Sequence, residues 1–208
     1  PRTFGDSTIH VSQVDHIIEV AHNLPEETII APTEVEERIG EYIAELIEDG
    51  STIQMGIGGV PYAVSKLLHS KRDLGVHTEM LTEAMLELYE SGVITNKRKT
   101  LYPEKFVCAF VFGTQKLYNF VNNNPSVLVM SGSFTNDPFI LGQNNKMVSL
   151  NSALMIDLTG QVCSEAIGTR HYSGTGGQLD THRGAVRSAL KGLGGKGIIA
   201  LRSTAKKG

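Results

Sequence analysis

Short apolar runs recur along this chain with a helix-length stretch between each pair, and no other feature narrows its possible folds so far. Residues 52–57, 76–80, 106–112 and 127–130 read as strands. Ahead of the first, Val35, Ile39, Ile43, Leu46 and Ile47 form one apolar stripe at helical spacing. Helical stretches then follow from Pro61 to about His69, over 83–89 and over 115–121. Strands joined by helical crossovers run parallel, and a parallel sheet is covered on both faces. The expected fold is α/β: an open, mostly parallel sheet with helices on both faces, a three-layer α/β/α arrangement.

Local signals support these boundaries. Thr33 and Glu36 have the spacing of a capping box, in which each side chain accepts the other residue's backbone N–H. Pro61 suits the first turn of a helix, where its missing N–H would be unpaired anyway. After residue 146 the rhythm changes: 147–150 and 153–158 read as strands, with Thr159-Gly160 turning into 161–164. That predicts a mixed or antiparallel portion. A glycine-rich segment over 173–177 leads to a helix at 183–190, and 198–201 is the last strand. The opening residues hold no clear period, so 1–30 reads as an arm and 31–208 as one domain, expected to be a piece of a longer protein.

Composition removes several function classes. A formal charge of −3 argues against a polyanion-binding surface, and the basic residues at 97–99 and 206–207 read as solvated loops. No nucleic-acid partner is expected. No stretch approaches the ~20 apolar residues of a membrane span. The N-terminus has no charged-then-apolar signal pattern, so cytoplasm or an organelle matrix is the expected location. Cys108 and Cys163 sit in apolar runs and read as small buried hydrophobes of a reducing compartment. The seven histidines show no metal-binding spacing, and no GxSxG elbow occurs.

In parallel sheets, ligands bind off the carboxyl ends of the strands, which directs attention to the loops at 56–61, 78–82, 113–114, 131–137 and 173–178. The first holds Gly56-Ile57-Gly58-Gly59-Val60-Pro61, where backbone N–H groups at a helix start can meet an anion or a developing oxyanion. It matches neither a dinucleotide fingerprint nor a Walker A loop, and it also reads as a plain strand-to-helix turn. His77-Thr78-Glu79-Met80 puts a carboxylate near a strand end, suited to covalent or acid–base work; the alternatives are an exposed loop glutamate and a structural imidazole. Ser173-Gly174-Thr175-Gly176-Gly177-Gln178 offers a second backbone N–H cluster, or a flexible connector. Glu165 is a competing carboxylate, and Asp157 and Asp180 are further acids.

Four segments carry a resemblance: Gln54 through Val64 (QMGIGGVPYAV), Leu74 through Met80 (LGVHTEM), Asp157 through Val162 (DLTGQV) and Gly174 through Asp180 (GTGGQLD). Together, from about residue 30 onward, they resemble the C-terminal domain of the acetyl-CoA hydrolase/transferase family, close to the 4-hydroxybutyrate CoA-transferase-like members of the family I CoA-transferases. The resemblance implies an open CoA-transferase fold with two related halves. It also implies that Glu79 is the nucleophile, that Gly56, Ile57, Gly58, Gly59 and Val60 bind coenzyme A, and that Gly176 and Gly177 are a second CoA and oxyanion contact. Coenzyme A and acyl-CoA would be substrates, with no cofactor permanently bound. The implied partners are a short-chain carboxylate, the N-terminal half of the same enzyme and further copies in a homo-oligomer. One departure is Thr181-His182, where an aromatic residue usually follows in the family.

The implied reaction is ping-pong CoA transfer through a glutamyl-CoA thioester. Three other readings stay open: an acyl-CoA hydrolase using the same site, a non-catalytic phosphosugar- or nucleotide-binding module, and a structural half-domain.

Overall fold

The computed structural model describes residues 1–28 and 30–204, so the basic pair at 206–207 lies outside the described residues. The main sheet has seven strands: β1 (Phe4–Gly5), β2 (Thr52–Met55), β3 (Gly75–Leu81), β4 (Phe106–Val111), β5 (Val127–Val129), β6 (Met147–Ser152) and the last strand, β11 (Lys196–Ala200). Their order is β1-β5-β4-β3-β2-β6-β11, and every neighbouring pair is parallel. The helices are α1 (Glu34–Leu46), α2 (Gly59–Leu67), α3 (Glu83–Glu90), α4 (Gln115–Val121), α5 (Gly132–Thr135), α6 (Pro138–Leu141) and α7 (Gln178–Leu190). From β2 the chain steps outward through β3, β4 and β5, then returns to lay β6 on the other side of β2. The direction of winding therefore reverses between β2 and β6, the place where an open α/β sheet forms its ligand crevice.

Period-two alternation sorts the side chains of these two strands. Ile53, Met55, Val148 and Leu150 join the main apolar core with Ile43 of α1 and Ile47 just after it, Val64 of α2, Met85 of α3 and Leu117 of α4. Met147 faces the other way, into a small cluster with Leu141 and with Ala185 of α7. Gln54, Ser149 and Asn151 are buried as well, although they are polar. The strands at the switch point thus alternate apolar with buried polar residues, where continuous apolar runs were expected. The capping box at the start of α1 forms as its spacing implies, with Thr33 N–H donating to Glu36 Oε2 at 2.8 Å and Glu36 N–H to Thr33 Oγ1 at 3.4 Å.

Several expectations need correction. Residues 147–150 belong to no antiparallel portion: β6 is an interior parallel strand, registered Thr52↔Met147 through Met55↔Leu150 against β2. Among the described residues, antiparallel pairing is confined to two short ribbons between β6 and α7, β7 (Met155–Ile156) with β8 (Val162–Cys163) and β9 (Ala166–Ile167) with β10 (Arg170–His171). Within the arm, Phe4–Gly5 is a sheet edge beside β5, where a Cβ on Gly5 would come within 2.5 Å of the Val129 carbonyl oxygen. α7 begins at Gln178, five residues ahead of the predicted start at 183. Cys163 is only half-buried, its Sγ facing the Ala166 carbonyl at 3.1 Å, whereas Cys108 is fully buried; both are free thiols.

The basic triplet is not all solvated. Lys97 and Arg98 are exposed, but Lys99 is buried at the amino ends of β3 and β4. Its Nζ donates to the carbonyls of Val76 at 2.7 Å and Lys105 at 2.6 Å. Gly75 leaves room for its stem, since a Cβ there would stand 2.3 Å from Lys99 Cγ. Burial lowers the Lys99 pKa to about 7 and that of nearby His77 to about 3, with the Lys99 charge a second cause at His77. Both groups are bases that the fold prefers neutral, so the unfolded chain binds more protons and stability falls as pH falls. The windows run from the ordinary lysine value down to about 7 for Lys99, and from 6.5 down to about 3 for His77. Urea midpoints measured between pH 7 and 10 should rise with pH in the wild type, and this slope should flatten in Lys99→Met.

Candidate active site

Glu79 stands in the carboxyl half of β3, half-buried, next to fully buried Thr78. Its Oε2 accepts the backbone N–H of Gly177 at 3.0 Å. Gly177 is the N-cap of α7, so the carboxylate sits at the positive end of a 13-residue helix. The backbone of Gly177 (φ −97°) would admit any residue. What it lacks is room: a Cβ would lie 2.3 Å from Glu79 Oε2 and 2.4 Å from Asn136 Nδ2.

Asn136, directly after α5, therefore faces the same point as Glu79. Its Oδ1 is buried without a hydrogen-bond partner among the described residues. His77 helps to hold this side in place. Its Nε2 pairs with the Thr135 carbonyl at 3.0 Å and its Nδ1 with Asn144 Nδ2 at 3.2 Å. In the neutral ring Nε2–H donates and Nδ1 accepts. The imidazole is thus a structural tie beneath Asn136.

The first glycine turn leaves β2 at Gly56, whose N–H donates to the Leu150 carbonyl of β6 at 2.8 Å. Gly58 has φ +110°, a conformation that L side chains rarely adopt. The Glu36 carboxylate covers Gly59, with Oε2 2.4 Å from where a Cβ would be. Accepting the Thr33 N–H, more than any other contact, lowers the Glu36 pKa, and Arg202 at 3.2 Å adds to this. Val60 is turned into the core, so only its backbone is available to a ligand, while Ile57 is exposed.

A cleft of about 500 Å³ opens along this turn, lined by Gly56, Ile57, Gly58 and Gly59 together with residues of the 27–36 segment, Tyr62, Thr82 and Glu83. Glu83 is buried and accepts the Thr114 N–H at 3.2 Å and hydroxyl at 2.7 Å. Glu27, on the cleft wall, has its pKa raised, first by burial and then by the charge of Glu83. The cleft lies on the side of α1, α2 and α3, whereas Glu79 turns toward α7, and neither Glu79 nor Gly176 nor Gly177 lines it. β6 ties the two turns together: its Leu150 carbonyl holds Gly56, and its Ser152 carbonyl accepts from Gln178 Nε2 at 2.8 Å.

The rival acids have local duties. Asp157 closes its own turn by accepting from Thr159 and Gln161. Glu165 accepts the Ser164 N–H within its ribbon, and Asp180 lies in the first turn of α7. Among the described residues, no three His, Cys, Asp or Glu side chains are grouped to hold a metal ion, and no helix is long and apolar enough to cross a membrane.

Over its whole length this chain is 52% identical to a 4-hydroxybutyrate coenzyme A transferase of Clostridium kluyveri, covering 48% of that protein. Residues 113–208, which include Asn136 and Gly177, match the model of the acetyl-CoA hydrolase/transferase C-terminal domain. The chain is similar to the acetyl-CoA hydrolase/transferase family. It is also 49% identical over its full length to a succinyl-CoA:cyclohexane-1-carboxylate CoA transferase of Geobacter metallireducens, of which it covers 47%. The crystal structure of RipA from Yersinia pestis superposes with a TM-score of 0.90 at 41% identity, spanning all of this chain and 47% of that one. The chain thus spans about half the length of the relatives it matches.

Sequence reading located Glu79 and Gly177, which the fold brings together, and flagged the loop at 131–137. It did not single out Asn136 within that loop. Thr181, the residue after Asp180, packs fully buried against β6.

Proposed function

We propose that this chain is the catalytic half of an enzyme that moves coenzyme A between an acyl-CoA thioester and a short-chain carboxylic acid, with Glu79 as nucleophile. The observation that carries this reading is the 3.0 Å hydrogen bond between Glu79 Oε2 and the Gly177 N–H at the head of α7. A carboxylate held there is half-exposed, and it has a donor positioned for the oxyanion that forms when its acylated carbonyl is attacked by the thiolate. The likeness to the acetyl-CoA hydrolase/transferase C-terminal domain and the CoA-transferase names of the relatives support the same class of reaction.

The chemistry follows in balanced steps. A Glu79 oxygen attacks the thioester carbonyl, giving an acyl-glutamyl anhydride and CoA thiolate. The thiolate attacks the glutamyl carbonyl, releasing the first carboxylate and leaving a glutamyl-CoA thioester. A second carboxylate attacks that thioester to form a new anhydride and thiolate, and the thiolate takes its acyl group, restoring Glu79. Each step passes through a tetrahedral oxyanion; in the second and third steps it forms on the glutamyl carbon, where the Gly177 N–H can stabilise it. Water has to be kept out, because it would hydrolyse the anhydride.

The cleft beside Gly56–Gly59 receives the neutral pantetheine part of coenzyme A in this reading. The Glu36 carboxylate already covers the first turn of α2, so a phosphate placed there would meet like charge. Coenzyme A enters as a substrate only. The N-terminal half of the same polypeptide completes the acid-binding side, the whole enzyme self-associates, and it works in the cytoplasm.

Steady-state kinetics of the full-length enzyme test this. With acetyl-CoA and butyrate, butyryl-CoA should form with parallel double-reciprocal lines. Intersecting lines would rule out the covalent route, and CoA release unaffected by added carboxylate would favour the hydrolase.

A further inference from the structure

Four buried polar side chains join the two glycine turns and have no part in the chemistry just described: Gln54 on β2, Ser149 and Asn151 on β6, and Thr181 on α7. Asn151 Nδ2 lies 3.2 Å from Gln54 Oε1, 3.1 Å from Ser149 Oγ and 3.2 Å from Thr181 Oγ1. Gln54 Nε2 returns a bond to Asn151 Oδ1 at 3.3 Å. Ser149 Oγ stands 2.8 Å from Gln54 Oε1 and 3.0 Å from Thr181 Oγ1, and its single proton serves one of them at a time. The Thr181 hydroxyl donates to the Gln178 carbonyl at 3.1 Å.

Burying four polar groups costs stability unless each is bonded, and apolar residues would fill this space without that requirement. The location of the network suggests what it does. Asn151 lies between Leu150, which holds Gly56, and Ser152, which holds Gln178. Asn151 Oδ1 is also 3.1 Å from the Cβ position of Gly56. At the other end, the Thr181 N–H donates to the Gly177 carbonyl at 2.9 Å, while its hydroxyl holds the next residue's carbonyl. The first turn of α7 is thereby pinned to β6 through Thr181, one helical turn from the Gly177 that faces Glu79.

We propose that Thr181, held by Asn151 and Ser149, is a positioning residue that sets the first turn of α7 so that the Gly177 N–H meets the Glu79 carboxylate. This rests on the reading of Glu79 and Gly177 as the reacting pair. Thr181→Val in the full-length enzyme keeps the shape and removes the hydroxyl. It should lower kcat about 10- to 100-fold with the acyl-CoA KM little changed, since small misplacements at a reacting centre carry costs of this size. Hydrogen–deuterium exchange of the peptide spanning 174–180 should speed up in parallel, and Thr181→Ser should restore both.

Ser149→Ala, which removes one partner of Thr181, carries the same two readouts should Thr181→Val fail to fold. The proposal is overturned if the variant leaves both kcat and exchange as in the wild type, if kcat falls with exchange at 174–180 unmoved, or if Thr181→Ser is as impaired as Thr181→Val. Faster exchange in Thr181→Val beside a fully active Glu79→Ala would uphold the positioning role and discard the nucleophile.

Discussion

Replacing Glu79 with alanine should abolish CoA transfer in the full-length enzyme, lowering kcat by at least about 10⁴-fold, as loss of a covalent nucleophile does elsewhere. The side chain is half-buried, so its removal opens no core cavity, and the urea midpoint should move by less than about 1 kcal/mol equivalent. Glu79→Asp keeps the charge but shortens the reach by one methylene, and a drop of about 10²-fold is expected from the misplaced oxygen. Glu79→Gln keeps an acceptor for the Gly177 N–H yet has no nucleophilic oxygen, and it should be as inactive as the alanine variant. Initial rates with saturating acyl-CoA, measured beside unfolding curves, separate these outcomes from loss of fold. A variant of Glu79 that retained transfer would remove it from the mechanism.

A single methyl group on Gly177 should have the second-largest effect. The backbone there, at φ −97°, accepts alanine without strain, so the fold should survive Gly177→Ala. The added Cβ would fall 2.3 Å from Glu79 Oε2 and 2.4 Å from Asn136 Nδ2, and both side chains would have to swing away. Losing the alignment of one oxyanion donor lowers kcat about 10²- to 10³-fold, and that is the expected size here. Gly176→Ala makes the instructive contrast. Gly176 has φ +57° with nothing within 4 Å of a Cβ, so alanine there should cost about 1 kcal/mol of stability through strain and disturb Glu79 less. Equal catalytic loss in both variants would place the effect in the loop as a whole rather than at the Gly177 contact.

The sequence disclosed those parts of the molecule that local rules govern. Helix stripes, the Thr33–Glu36 capping box and the Gly56–Gly59 turn depend on neighbours in the chain, and all can be read from it. Glu79 was singled out as a carboxylate near a strand end, and the family resemblance implied its role as nucleophile. What escaped was decided by partners far away in sequence. β6 looked antiparallel because hairpin-like ribbons follow it, and its true neighbours, β2 and β11, lie far from it along the chain. Helices α5 and α6, four residues each, are too short to show a period, so Asn136 had no element to sit on. The start of α7 was hidden because its first turn exposes Leu179 and shows no apolar stripe. Lys99 looked solvated because lysine normally is, and only the gap above Gly75 makes room for it indoors. The polar network did leave a trace: T-I-Q-M in β2 and M-V-S-L-N-S in β6 alternate in strands that a covered sheet should make apolar throughout.

The most direct check on the role of Glu79 is to trap its acylated state. The full-length enzyme would be incubated with acetyl-CoA, treated with hydroxylamine, digested and mapped by mass spectrometry. Hydroxylamine converts a glutamyl thioester into a hydroxamate, so the expected result is that modification on Glu79, lost when a carboxylic acid is added first to discharge the intermediate. A hydroxamate on Glu165 with Glu79 unmodified, or an actively transferring enzyme that never labels, would contradict it.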